Sequence, residues 1–219
     1  QELAEDVGQL PLPPYINRSN DPRQAKEDNE RYQTVYANPA TKVAVAAPTA
    51  GLHFTQKLLT NLENRGFSFH DLLLHVGLGT FKPIQTEKLE EHPMHSEAYS
   101  IPPGTLAAMQ QDAQRPRVAI GTTCVRTIED ALRKLPNKMV KTESFESEAS
   151  LFLYPPENFM GVDALITNFH LPRSTLLCLV AAFLTPGSID GIKWLKKIYT
   201  EALKKGYRFY SYGDAMLIL

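Results

Sequence analysis

Three segments of the chain share one construction, and it restricts the fold more than any bulk property does. Val43–Thr55 reads VAVAAPTAGLHFT: an alternating apolar run, a break at Pro48 and Gly51, and a helix start near Thr55. VAIGTTCVRTIEDAL from Val118 and VDALITNFHLPRSTLLCLV from Val162 repeat the pattern. Strand, tight loop and helix in that order are the unit of α/β proteins, where sites form between strand ends and helix starts. The expected fold class is therefore α/β, with a mixed or largely parallel sheet and helices on both faces. The loops carry Thr49, Gly51 and His53 in the first segment, Thr122, Thr123 and Arg126 in the second, and Asn168 and His170 in the third.

A chain of 219 residues suits one large domain or two small ones, and 43% apolar content supplies a core. A formal net charge of -1 excludes a broadly basic nucleic-acid coat but not a local patch. Cys124 and Cys178 sit in apolar or helical context, which fits a reducing, cytoplasmic setting and no disulfide framework. No signal peptide is recognisable, and Leu176–Leu184, the richest apolar run, has about half the length of a membrane span. The chain begins with Gln1 rather than Met, so an N-terminal portion is expected to precede it.

Leu10–Tyr15, LPLPPY, reads as an extended connector, because proline fixes φ and keeps its predecessor out of the helical region. Asn17–Asn29 is polar with a turn signal at Asp21-Pro22, and Arg31–Tyr36 is expected as a short helix with Tyr32 and Val35 inward. Val43–Ala47 is the first expected strand, and Thr55 the N-cap of the helix after it. Phe67–Val76 reads as a second strand, ending in His75, Gly77 and Gly79; those glycines do not make a dinucleotide fingerprint. His92, His95 and Glu97 invite a metal, but Pro93 interrupts any regular helix face there, so no metal is expected. A helix follows Pro102-Pro103, and Arg117–Ile120 is a short strand. The free N–H groups at Gly121-Thr122-Thr123 would attract an anion. Arg126 is either ligand-facing or a surface partner of Glu129 or Asp130. Further strands are expected at Ala149–Tyr154, Val162–Thr167 and Tyr207–Tyr212, with helices at Leu176–Leu184 and Ile189–Lys205. Ile192, Leu195, Ile198, Tyr199 and Ala202 are available to the core, and Lys193, Lys196 and Lys197 form a basic stripe or a solvated face.

LPLPPYI from Leu10, APTAGLHFT (Ala47–Thr55), LHVGLGTFKP (Leu74–Pro83), HPMHSE (His92–Glu97), GTTCVRTIE (Gly121–Glu129), TNFHLPRSTLL (Thr167–Leu177) and YRFYSYGDAM near the C-terminus occur in one order. Together they resemble the S-adenosylmethionine:tRNA ribosyltransferase-isomerase family of queuosine biosynthesis, over essentially the whole chain. Members of that family are longer at the N-terminus and carry an inserted small β-barrel, which the resemblance implies is absent here. Residues 1–42 are then a tail and linker returning from that portion plus a docking helix, and 43–219 an incomplete main α/β catalytic domain. Two departures are visible: Cys124 stands where the family commonly has Ser, and Pro156 where it commonly has Gly.

The resemblance implies transfer and isomerisation of the ribosyl unit of S-adenosylmethionine onto a 7-aminomethyl-7-deazaguanine at the tRNA wobble position. Epoxyqueuosine-tRNA, adenine and methionine are the products. S-adenosylmethionine is consumed as a co-substrate, and a tRNA anticodon loop is the partner. His53, His95 and His170 are the implied acid–base candidates with Glu97 as an orienting partner and His75 in reserve. Thr49, Gly51, Gly77, Gly79, Thr122, Thr123, Arg126, Asn168 and Asp214 are candidates for holding substrate. Lys193, Lys196, Lys197 and Arg208 are candidates for RNA phosphates. Self-association is open, with a monomer the expectation. The rival readings are a non-catalytic ligand- or RNA-binding fragment and another α/β transferase acting on a nucleoside or sugar.

Overall fold

Two three-stranded sheets and the helix between them organise the computed structural model, which describes residues 12–13, 15–16, 22–38, 47–77, 83–111, 115–135 and 143–219. One sheet is antiparallel, with β1 (Leu73–Leu74) beside β2 (Glu97–Ile101) and β2 beside β4 (Phe145–Ala149). The other is mixed. In it β3 (Val118–Ile120) runs parallel to β5 (Ala164–Asn168), and β5 runs antiparallel to β6 (Ala215–Ile218). The fold is thus α/β with a mixed sheet and packed helices, and the described residues form no closed barrel.

The described helices are α1 (Pro22–Arg31), α2 (Gln56–Glu63), α3 (Pro103–Gln111), α4 (Thr122–Lys134), α5 (Thr175–Leu184) and α6 (Gly191–Lys204). α4 joins the two cores. Its Val125 packs with Leu165, Leu179, Val180 and Ile218 under the mixed sheet. Its Ala131 packs with Tyr99, Ile101 and Leu106 under the antiparallel sheet, and Ile128 touches both groups. Leu165 is fully buried, which stabilises by roughly 2 kcal/mol for a side chain of that size. α5 is apolar nearly all round, as a helix covered on most sides must be, and Ser174 caps it by accepting from Leu177 N at 3.2 Å. Thr55 caps α2 in the same way, accepting from Leu58 N at 3.2 Å. No described helix is long and apolar enough to cross a membrane.

Several elements differ from expectation, each for a physical reason. The first described helix lies at Pro22–Arg31, not Arg31–Tyr36; Tyr32 is buried, but Val35 is half exposed. α1 has no apolar stripe and is held instead by Asp28 and Tyr32 against Tyr212. The strand expected over Phe67–Val76 shrinks to Leu73–Leu74, and Phe67 and Phe69 are exposed. The strand placed at Ala149–Tyr154 lies earlier, at Phe145–Ala149, where it pairs with β2. Tyr207–Tyr212 is not a strand. Its rings form a cluster with Phe169 and Tyr199, Tyr210 takes a φ of 73°, and the strand follows at Ala215–Ile218. Ile192 points outward on α6, while Leu195 and Ala202 are buried. Of the strand expected at Val43–Ala47, 43–46 lie outside the described residues.

Candidate functional site

β5 ends at Asn168, which is buried, and the short 3₁₀ turn Thr49–His53 lies across that end. Thr49 Oγ1 donates to Asn168 Oδ1 at 3.1 Å, and Asn168 Nδ2 lies 3.0 Å from His53 Nε2. The turn packs on the start of α4: a Cβ on Gly121 would lie 3.7 Å from Ala50 Cβ. Gly121 has a φ of +98°, a conformation open to glycine and strained for other residues, and its N–H donates to Ile166 O at 2.8 Å. Gly51 is glycine for space rather than for φ. A Cβ there would sit 1.9 Å from Tyr36 Oη and 2.7 Å from Thr34 Cγ2, so the 34–36 segment closes directly over the turn.

Burial pushes the His53 imidazole below its ordinary pKa; the Asp214 carboxylate opposes that shift and Arg208 reinforces it. Asp214 is itself held below the usual carboxylate range by Arg208, whose guanidinium donates at 2.9 Å and whose backbone N–H donates at 2.7 Å. Burial thus favours the neutral form of the His53 imidazole, which lies near the paired Arg208 and Asp214.

A second constellation lies at the first turns of α4. Arg126 donates to Glu97 Oε2 at 3.1 Å, to His95 O at 2.6 Å and to Ala149 O, tying the HPMHSE segment to β4. Burial lowers the Arg126 pKa, with Glu97 and Asp130 opposing. These partners are neither of the two carboxylates in the surface alternative, Glu129 and Asp130: Asp130 is bonded to Tyr99 and Lys134, and Glu129 is turned inward. That carboxylate is fully buried and accepts from Met160 N, Gly161 N and Arg133. Thr122 and Thr123 sit beside Arg126 in a cleft closed by His92, Phe152 and Leu176. Gly121, the N-cap of α4, has no side chain to cap the first N–H groups of the helix. The free space is about 30 Å³, enough for a few waters and too small for a nucleoside unless the walls separate.

The remaining candidates stand apart. His170 Nε2 is 2.8 Å from Thr167 Oγ1, and its backbone N–H donates to Tyr199 Oη at 2.8 Å. Successive strand residues point to opposite faces, so Thr167 and Asn168 direct His170 and His53 to different sides of β5. Burial pushes His170 down to about 4. His75 continues the β1–β2 pairing through its N–H to Ala98 O, and Gly77 follows with open space around it. Gly79 lies outside the described residues. Lys193, Lys196 and Lys197 are exposed on α6, with Lys197 Nζ 5.0 Å from the Trp194 ring centroid. Arg208 is exposed but paired with Asp214.

Sequence patterns did not single out the tyrosines that seal this end of the molecule. Tyr15 Oη and Ser211 Oγ are 2.6 Å apart, and Tyr212 donates to Asp28 at 2.9 Å. Gln24, Glu27, Asp28, Arg31, Arg208 and Tyr212 line an open cleft of about 330 Å³. The crowding of tyrosine before position 37 and again at 207–212 was the available signal, since aromatic pairs join segments distant in sequence.

These elements recur in known proteins. A family model described as "Queuosine biosynthesis protein" matches residues 1–218. An S-adenosylmethionine:tRNA ribosyltransferase-isomerase of Thermotoga maritima is 48% identical over 99% of this chain and 59% of its own length. One from Heliobacterium modesticaldum is 49% identical over the same shares. The crystal structure of S-adenosylmethionine tRNA ribosyltransferase from Thermotoga maritima aligns with a TM-score of 0.59 and 42% identity, covering 78% of this chain and 51% of that one. The chain thus spans about three-fifths of the length of the curated relatives it matches. On the family match and these relatives, the chain belongs to the queuosine biosynthesis protein family.

Proposed function

We propose that this chain carries the reaction site of an S-adenosylmethionine:tRNA ribosyltransferase-isomerase. The enzyme would move the ribosyl unit of S-adenosylmethionine onto 7-aminomethyl-7-deazaguanine at the tRNA wobble position, giving epoxyqueuosine-tRNA, adenine and methionine. The observation that carries this reading is the Thr49–Asn168–His53 chain, which brings the APTAGLHF and TNFH motifs to one point beside the start of α4.

Such a reaction expels a purine, requires a base beside a sulfonium, and uses an uncharged amine as nucleophile. A neutral imidazole next to a buried amide suits a site where charge develops. The uncapped N–H groups around Thr122 and Thr123 fit an anionic or hydroxyl-rich part of the co-substrate. Arg126 is engaged by Glu97, His95 O and Ala149 O. We therefore assign it to holding the cleft wall, with Glu97 as its anchor. The exposed lysines of α6 are assigned to RNA phosphates, and an anticodon loop with splayed bases is the form of RNA such a site takes.

The test supplies precursor tRNA and S-adenosylmethionine to this chain, with the Thermotoga maritima relative as positive control, and follows adenine release. Release by both supports the proposal. Release by the control alone would reduce this chain to a binding fragment, the second reading favoured by its three-fifths coverage of the relatives.

A further inference from the structure

We propose that Asn168 is a positioning residue that holds His53 as its neutral Nδ1–H tautomer, so that His53 serves the reaction as a hydrogen-bond donor and not as its base. The Thr49 hydroxyl donates to Asn168 Oδ1 at 3.1 Å. With Oδ1 turned that way, the amide presents only Nδ2 to His53, 3.0 Å from Nε2. An amide nitrogen donates and does not accept, so Nε2 must offer its lone pair and carry no proton. A neutral imidazole then keeps its single proton on Nδ1. Protonating Nε2 would set N–H against N–H at hydrogen-bond distance, at a site buried enough to disfavour charge in any case.

The groups acting on His53 from neighbouring elements agree with this state. Asp214 favours an imidazolium and Arg208 disfavours it, and the two are locked together at 2.9 Å. Asn168 is 2% exposed and sits at the end of a strand paired on both sides, so its amide is held by the fold rather than by solvent. Among the described residues Nδ1 has no hydrogen-bond partner, which leaves its N–H available to a ligand. The ligand group it fits is an electron-rich atom gaining charge, such as the ring nitrogen of a departing purine. That assignment rests on the reaction proposed above. A preorganised neutral donor of this kind typically accounts for about 100- to 1,000-fold in rate, with no proton leaving the imidazole.

The tautomer is read directly from two-bond nitrogen–proton correlations of the imidazole in ¹⁵N-labelled chain, with His53 assigned by its loss in His53→Gln. The expected spectrum shows a protonated Nδ1 and an unprotonated Nε2. Asn168→Asp places an acceptor at Nε2, so the proton should move to Nε2 and the titration midpoint should rise by about one to three pH units. Thr49→Val keeps the shape but removes the hydroxyl that orients the amide, and both tautomers should then appear. A wild-type Nε2–H signal, an unchanged tautomer in Asn168→Asp, or a single tautomer in Thr49→Val would each overturn the proposal. None of these spectra needs substrate. Their failure leaves the proposed reaction standing, and absence of turnover leaves the tautomer result intact.

Discussion

Lowering the pH from about 7.5 to about 5 should weaken the fold through His170, by an amount set by that residue's burial. Burial holds His170 near 4 in the folded chain against an ordinary value of 6.5. Between those two values the unfolded chain binds a proton that the folded chain does not. The stabilisation is therefore complete above the unfolded value and falls as the pH drops, reaching its full loss near the folded value. Over the whole window the linkage amounts to roughly 3 kcal/mol, and about 2 kcal/mol is lost by about pH 5. That is a large share of the roughly 5–15 kcal/mol that typically stabilises a domain. The assay is urea unfolding across this pH range for the wild type and for His170→Gln, whose amide can still reach Thr167 and cannot titrate. Other carboxylates and histidines contribute equally to both proteins, so only the difference in slope is read. The wild type should lose about 2 kcal/mol more than the variant between the two pH values. Equal slopes, or a His170 resonance titrating near its ordinary value, would refute the reasoning.

Gly51→Ala should cost about 1–3 kcal/mol in urea unfolding, because its Cβ would meet Tyr36 Oη at 1.9 Å. Tyr36→Phe removes that oxygen and should recover part of the loss; no recovery would mean the strain lies elsewhere. Glu129→Gln leaves the N–H groups of Met160 and Gly161 and the Arg133 guanidinium short of an acceptor, so a loss of about 3 kcal/mol is expected by thermal or chemical unfolding. Replacing Lys193, Lys196 and Lys197 one at a time by Ala should reduce the salt dependence of tRNA affinity by about one counterion each, and an unchanged slope would remove α6 from the RNA surface.

The elements most legible in the sequence are those whose side-chain pattern and burial coincide. Val125, Ile128 and Leu132 mark α4, and the continuous apolar stretch at Leu176–Leu184 marks α5, because the apolar positions of each helix are the ones the core covers. Thr55 is legible as a cap because its geometry is local. α1 escapes such reasoning: its attachments include the Asp28 carboxylate and the neighbouring Tyr32 ring against Tyr212, which no periodicity records. The YRFYSY run misleads because aromatic residues favour strands on a half-buried surface, whereas here the rings gather around Phe169 in an irregular loop.

The site follows the same division. His53 and Asn168 stand out as loop residues at strand–helix junctions, yet the contact between them spans 115 positions and depends on sheet order. In the sequence, Arg126 reads as ligand-facing or as a surface partner of Glu129 or Asp130. The fold instead turns Glu129 inward to Gly161 and carries Glu97 in from a strand 29 positions away. The face of β5 on which His170 sits is likewise set by pairing register, which loop motifs do not encode.

Adenine release from S-adenosylmethionine in the presence of precursor tRNA, compared among the wild-type chain, His53→Ala and His53→Gln, measures whether the His53 N–H serves the reaction. The wild type should turn over, His53→Ala should lose about 100-fold or more, and His53→Gln, which keeps an N–H donor, should lose less. Full turnover by His53→Ala, or none by the wild-type chain while the Thermotoga maritima relative is active, would contradict that role.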